Sequence, residues 1–189
     1  TLGLNKAPKG GYVEQFELDF LRFKVPPNPQ DCLIPQQLMM MKVADNAVLQ
    51  AGLKEGTNVA VLVAMGLELD LHQYRGRVNL TTQIEKSLND QGINLTTAQQ
   101  DELTNICKES IASPAQLNQY TSFIGNIMAS RISALWDFSG PAFTVSSEEN
   151  SVYRCVELAQ NLFATSDVEA VVIAAVDLAG SFENISLRQ

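Results

Sequence analysis

Val59-Ala60-Val61-Leu62-Val63-Ala64-Met65 is apolar at every position and β-branched at alternate ones. A half-wetted edge strand alternates apolar with polar residues. This run does not, so it predicts a parallel strand covered on both faces. Ala170-Val171-Val172-Ile173-Ala174-Ala175-Val176, leading into Asp177-Leu178 and then Gly180, repeats the pattern and predicts a second doubly buried strand. Between them, Ser139-Gly140-Pro141 breaks the chain and Ala142 to Val145 forms a short strand candidate. The expected strands lie at about 58–65, 142–146 and 170–178.

Helical spacing surrounds these runs. From Pro35, Leu38, Met41 and Val48 recur at helical intervals, Met39, Val43 and Ala47 widen the stripe, and Gly52 stands where a helix-ending glycine belongs, so a helix is expected at about 35–51. Phe123, Ile124, Ile127, Met128, Ile132 and Leu135 predict a helix within 119–136, with small residues at Gly125, Ala129, Ser130 and Ser133 that admit close neighbours. Val152, Cys155, Val156, Ala159, Leu162 and Phe163 mark another. Helix and buried strand in alternation specify an α/β fold, a mostly parallel sheet with helices on both faces. Residues 68–118 are more polar. They read as a helical excursion from the sheet, with helices near 79–89 and 97–111 separated by Asn89-Asp90-Gln91-Gly92 and ended near Pro114. Ahead of everything, the stretch from Tyr12 to Phe23 runs into Pro26, Pro27 and Pro29, which end whatever precedes them.

Composition limits the function. With 189 residues, 46% of them hydrophobic and 18% charged, the chain can bury one sizeable core and is neither fibrous nor disordered. Thirteen Lys+Arg against twenty-one Asp+Glu give a net charge of -8, and no basic cluster exceeds the scattered Arg75 and Arg77. A phosphate backbone is repelled, so nucleic acid is not an expected ligand. The longest apolar runs are too short for a membrane span, and the first residues lack the layout of a signal peptide, which together predict a cytoplasmic protein. Cys32, Cys107 and Cys155 are odd in number and widely spaced, against a disulfide framework or a structural zinc site, and His72 is the only histidine. No cofactor is expected.

Several motifs in order resemble one family. Gly125-Asn126 with Arg131-Ile132-Ser133, then Gly140-Pro141 with Thr144-Val145, then a helix and a buried strand ending in Asp177-Leu178, resemble the β-ketoacyl synthase domain of fatty acid and polyketide synthases. Pro35-Gln36-Gln37 followed by Ala51-Gly52 resembles that family's segment in which a proline and two glutamines open a helix closed by an Ala-Gly pair. The resemblance spans about residues 16–182, and the details at 20–29 and 136–152 are most similar to the ketosynthase-like domains of bacterial multidomain polyunsaturated fatty acid synthases. It implies a thiolase-like half-domain. The family domain is roughly twice as long, so residues 1–189 correspond to a partial ketosynthase-like domain. The implied partners are acyl carrier protein, the other synthase domains, and a second subunit in a homodimer or a ketosynthase-type heterodimer.

The departures bear on activity. In an active ketosynthase the segment after Gly-Pro and Thr-Val leads to a cysteine nucleophile at a helix N-terminus, where the dipole favours the thiolate. Counting from Gly140, Glu149 takes that place, and a carboxylate cannot form the persistent acyl thioester. The family's two active-site histidines and lysine lie beyond Asp177-Leu178, and nothing up to Gln189 supplies them. Glu149 has three readings: a helix cap with Ser146 in a capping box, a mimic of the acyl or malonyl carboxylate that shuts or shapes the pocket, or a decarboxylase residue, as family members with glutamine there suggest. A catalytically silent segment with an architectural, chain-length or carrier-docking role follows. The enzymatic alternative is a malonyl-carrier-protein decarboxylase or condensing activity completed by a C-terminal half or partner subunit, and a plain α/β scaffold is a third.

The other chemistry-bearing residues have ordinary readings. Cys155 lies on the apolar stripe of its helix and reads as structural, and Cys32 and Cys107 as incidental. Glu68, Asp70 and His72 would share one face if extended, as metal ligands do, but without a second histidine they read as a solvated loop or helix start and no metal site is expected. Arg131 is expected in a structural ion pair rather than on a carrier protein, and Met39-Met40-Met41 is core filler. By resemblance, the strand of the Thr-Val motif pairs across a twofold axis. Phe143, Thr144 and Val145 are therefore the interface candidates, with Gly125 and Asn126 serving close packing there.

Overall fold

A computed structural model describes residues 13–24, 35–66, 71–111 and 124–178, with the side chains of 71–78 and 111 excepted. Helix α1 spans Pro35–Ala51, strand β1 Val59–Met65, helices α2 and α3 Leu71–Asp90 and Thr97–Ile111, and helix α4 Ile127–Leu135. Strand β2 follows at Ala142–Val145, then a short 3-10 turn at Glu148–Asn150, helix α5 at Ser151–Thr165 and strand β3 at Ala170–Val176. The three strands form one parallel sheet in the order β2-β1-β3.

The doubly covered character of β1 is its side-chain alternation made visible. Val59, Val61 and Val63 face a cluster built with Met40, Ala44 and Val48 of α1 and Met128, Ala129 and Ile132 of α4. Leu62 and Ala64 face the opposite layer, against Cys155 and Ala159 of α5. Residues 59–63 are fully buried, and each large aliphatic side chain so placed contributes about 1.5–3 kcal/mol of hydrophobic stabilisation.

Strand β3 departs from its sequence expectation. It forms where expected, but Ala174 alone among its residues is buried and Ile173 is 37% exposed. Its sequence signals coverage on two faces, whereas its place beside β1 at one end of the three-stranded sheet covers it only in part.

Helix α1 ends as the glycine indicates. Gly52 has φ +68°, its N–H donates to the Leu49 carbonyl at 3.1 Å, and the Leu53 N–H donates to the Val48 carbonyl at 3.2 Å. This is a Schellman closure, and Leu53 then packs against the cluster that holds Val48. Helix α4 closes similarly without a glycine. Asp137 adopts φ +51° and the Phe138 N–H donates to the Ser133 carbonyl at 3.0 Å, a conformation that Asp and Asn tolerate better than other side chains. The expected helix over 119–136 is shorter among the described residues, starting at Ile127; residues 119–123 lie outside them.

One polar knot holds the N-terminal segment to this core. Asp45, in α1, accepts the indole N–H of Trp136 at 2.9 Å and a guanidinium N–H of Arg22 at 2.8 Å, while Arg22 also lies 5.0 Å from the centre of the Trp136 ring. The Asp45 hydrogen bond raises the Arg22 pKa above the ordinary arginine value against the lowering by burial, so the guanidinium stays protonated. Asp19 accepts the N–H groups of Leu21 and Arg22, each at 3.0 Å, and so shapes the turn that presents Arg22.

Helices α2 and α3 belong to a second compact unit and pack against each other. Helix α2 starts earlier than the apolar spacing indicates, at residue 71 rather than 79. The missing signal has a cause: Gly76 and its polar neighbours carry no helical stripe. Helix α3 begins with a capping box, in which the Gln99 N–H donates to the Thr96 hydroxyl at 3.4 Å and the Thr96 N–H to the Gln99 carboxamide at 3.0 Å.

Candidate functional site

Parallel strands deliver their carboxyl ends to one edge of the sheet. The chain reaches β2 through α4 on the face shared with α1, and leaves β2 through α5 on the other face. Connections on opposite faces of neighbouring strands open a crevice outside their carboxyl ends. The candidate site is therefore the edge formed by Met65, Val145 and the turn Ser146–Asn150 that leads into α5.

Its foundation is a close approach of two backbones. A Cβ at Gly140 would lie 2.5 Å from the Val59 carbonyl carbon and oxygen and 2.8 Å from the Ala60 nitrogen. Only glycine fits. Pro141 then presents its carbonyl to the Val61 N–H at 2.9 Å, and β2 runs beside β1 with Val61 opposite Ala142 and Ala64 opposite Val145.

Gly125 and Asn126 meet this strand from the front of α4. The Asn126 carboxamide oxygen accepts the Thr144 N–H at 3.0 Å, and the Thr144 hydroxyl donates to the Gly125 carbonyl at 2.8 Å. Asn126 is thus the N-cap of α4 by position, yet its side chain makes no cap bond because β2 uses it. A Cβ at Gly125 would stand 3.7 Å from the Met65 sulfur and 4.0 Å from the Thr144 methyl, ordinary contact distances. The structure brings Gly125, Asn126 and Thr144 together, whereas Phe143 and Val145 pack on the other face of the sheet against Leu62, Ala64 and Cys155.

Glu149 lies exposed in the 3-10 turn, ahead of α5 rather than inside its first turn. The expected Ser146–Glu149 capping box does not form. Ser147 holds the N-cap position of the 3-10 turn without a side-chain cap bond, and a residue the apolar pattern gave no reason to single out does the joining. Buried Ser151 accepts the Ser147 N–H at 2.8 Å and donates to the Glu148 carbonyl at 2.7 Å. Glu148 turns through φ +51° at this point. The turn's shape therefore comes from Ser151 and the backbone, leaving the Glu149 carboxylate in solvent at the mouth of α5.

The remaining candidates are placed as follows. Cys155 is fully buried, and burial pushes its thiol pKa up, which disfavours the reactive thiolate. Cys107 is half-buried in α3, and Cys32 lies outside the described residues. Glu68 and Asp70 also lie outside them, and His72 falls in α2 where side chains are not described; among the described residues no acidic, histidine and cysteine group could hold a metal. Arg131 makes no ion pair among the described residues, and its buried Nη1 has no hydrogen-bond partner there, so the expected structural pairing is not found. Of the methionine run, Met40 and Met41 fill the core as expected. No helix among the described residues is long and apolar enough to cross a membrane.

Comparison with known proteins agrees with this geometry. The chain is 40% identical over 186 residues to a polyunsaturated fatty acid synthase polypeptide of Thraustochytrium sp. (strain ATCC 26185 / S-3), covering 98% of this chain and 8% of that protein. The solved structure of a PfaC Keto synthase-Chain length factor is 79% identical and superposes with a TM-score of 0.83, covering 99% of this chain and 20% of that one. The chain thus spans a small part of each relative, and its thiolase-like α/β fold is that of a ketosynthase segment. Residues 2–188 match the Beta-ketoacyl synthase, N-terminal domain, and the chain that places Gly140 against β1 and turns at Glu149 into α5 belongs to the β-ketoacyl synthase family.

Proposed function

We propose that residues 1–189 are part of a ketosynthase-like domain that does not itself condense acyl chains. Its role in a polyunsaturated fatty acid synthase is architecture, chain-length control or carrier-protein docking, with residues 68–118 as a helical excursion. The observation that carries this reading is Glu149. A carboxylate, not a thiol, stands exposed at the mouth of α5 where the family resemblance places the nucleophile, and Cys155 is sealed in the core behind it. The 79%-identical relative is named in part as a chain length factor, which supports the same choice.

The partners in this reading are an acyl carrier protein, the other synthase domains and a second ketosynthase-type subunit, in a cytoplasmic setting. The subunit contact is the outer edge of β2, with Phe143, Thr144 and Val145 and the adjoining Gly125 and Asn126; the position of β2 at one end of the sheet supports it. The enzymatic alternative is malonyl-carrier-protein decarboxylation or condensation completed by further chain or a partner, favoured by the exposure of Glu149 in the turn that follows the carboxyl end of β2.

The deciding experiment measures carbon dioxide release from malonyl-carrier protein, together with covalent acylation, in the full-length parent and its Glu149→Ala variant. Silence predicts no release attributable to Glu149 and no acyl group on this segment. Release that disappears in the variant, or acylation within these residues, would establish the enzymatic alternative.

A further inference from the structure

Helix α1 carries two buried stripes. Met40, Ala44 and Val48 belong to the cluster around β1, whereas Leu38 and Met41, with Asp45 one turn on, meet residues 13–24 and Leu135 of α4. Residues 13–24 form neither helix nor strand, and Phe23 alone among them is fully buried. Among the described residues no backbone–backbone hydrogen bond joins this segment to the rest of the chain. Its turn closes on itself, the Phe23 N–H donating to the Asp19 carbonyl at 3.0 Å and the Lys24 N–H to the Leu21 carbonyl at 3.3 Å. Side chains supply the attachment: Arg22 on Asp45 and over the Trp136 ring, Lys42 on the Glu17 carbonyl, and Phe23 with Leu18 against Met41.

We propose that residues 13–24 are a strap that lifts from α1 and the end of α4 as a unit while the sheet stays folded, with the Arg22–Asp45 ion pair as its clasp. Segments with few buried apolar contacts open at lower cost than the core they lie on. The two clusters around β1 contain none of the strap's residues, so lifting it leaves β1 between its layers. The charges permit the motion as well. Breaking a fully buried ion pair strands a charge in the interior, but the Arg22 side chain is already 35% exposed, and Asp45 keeps the Trp136 indole N–H at 2.9 Å when Arg22 leaves. Water takes the place of the guanidinium. The open strap then uncovers an apolar bed of Leu38, Met41 and Leu135 beside the Asp45 carboxylate. Nothing in this motion uses the side chain at residue 149, so the strap and the silent-domain reading fail separately.

Two neighbouring methionines read the motion. Met40 and Met41 are each 2% exposed, but Met40 lies in the β1 cluster and Met41 in the cluster with Phe23. Peroxide must reach a thioether to convert it to the sulfoxide. The full-length parent is treated with dilute hydrogen peroxide, and initial rates of sulfoxide formation at each methionine are resolved by peptide fragmentation in a mass spectrometer. A lifting strap predicts oxidation of Met41 at least about tenfold faster than of Met40 and Met128, because the latter two are reached only when the sheet itself opens. Arg22→Gln is expected to speed Met41 by a further factor of about ten and to leave Met40 and Met128 unchanged. Equal wild-type rates at Met40 and Met41, a comparison that needs no variant, overturn the strap. An Arg22→Gln effect that is absent at Met41, or matched at Met128, overturns the clasp.

Discussion

Replacing Gly140 by alanine tests the contact on which the site rests. The added Cβ would meet the Val59 carbonyl at 2.5 Å and the Ala60 nitrogen at 2.8 Å, against the roughly 3.5–4.0 Å at which non-bonded carbons rest. Relief requires β1 and the start of β2 to separate by about 1 Å. Strand β1 cannot give way, because it is paired on its other side to β3 from Val59 to Met65 and is buried on both faces. The shift falls on the β2 side, where it strains the Val61-to-Pro141 hydrogen bond of 2.9 Å. Overpacking of about 1–3 kcal/mol and one weakened hydrogen bond of about 1–3 kcal/mol together predict a loss of about 2–6 kcal/mol. Urea titration followed by tryptophan fluorescence measures it, since Trp136 is the sole tryptophan and lies in the same cluster as Val59. Gly125→Ala is the control. Its Cβ meets only side-chain atoms at 3.7 and 4.0 Å, so the same chemical change is expected to cost under about 1 kcal/mol. Equal effects at the two glycines, or a Gly140→Ala loss below about 0.5 kcal/mol, would refute the steric argument.

Asp45→Ala is expected to lower stability by about 2–4 kcal/mol in the same titration, chiefly because the buried Trp136 indole N–H loses its acceptor and Arg22 its counter-ion; a loss below about 1 kcal/mol would show the knot to be ornamental. Ser151→Ala removes both bonds of the turn and is expected to cost about 1–2 kcal/mol, read as a lower melting temperature, with an unchanged melting temperature counting against its role. Cys155 should resist alkylation in the native protein and react on unfolding, whereas half-buried Cys107 reacts first, as peptide mass spectrometry can resolve. Because burial raises the Cys155 pKa, the folded state holds that proton more tightly. Stability from this group is complete below the free-thiol pKa of about 8.5, declines as pH rises towards the folded value, and should decline less in Cys155→Ala. Glu149→Gln touches an exposed side chain and is expected to change stability by less than about 0.5 kcal/mol; a larger change would return the residue to a capping role.

What the sequence made legible was whatever repeats with the period of a regular element. The run from Val59 to Met65 announced a strand between two layers, and the glycine after Ala51 announced a helix end, because alternation and positive φ leave their mark on neighbouring residue types. Strand β3 shows the limit: an apolar run records that a strand is coverable, not which neighbours cover it. The same limit applied at the site. Ser146 and Glu149 have capping-box spacing, but the bonds went to Ser151, since the left-handed step at Glu148 redirects the backbone before the helix begins. Asn126 and Thr144 stand far apart in sequence and meet only through the parallel ladder, as do Gly140 and Val59. The family resemblance brought these residues into view, while their physical tasks needed the register of β2.

The site's framework and its chemistry are supplied by different residues. Gly140 admits β2 to the side of β1, Asn126 and Thr144 fix the strand to the front of α4, and Ser151 sets the turn into α5. None of these tasks uses the side chain at 149, which reaches solvent from a turn already determined by its neighbours. A chain built this way can exchange a thiol for a carboxylate at that position with little energetic consequence for the fold, because exposed substitutions away from caps and networks are nearly neutral. Exchange of the side chain at residue 149 is then a small step for such a fold, because the close approach of β2 to β1 at Gly140 and the turn set by Ser151 stand without it.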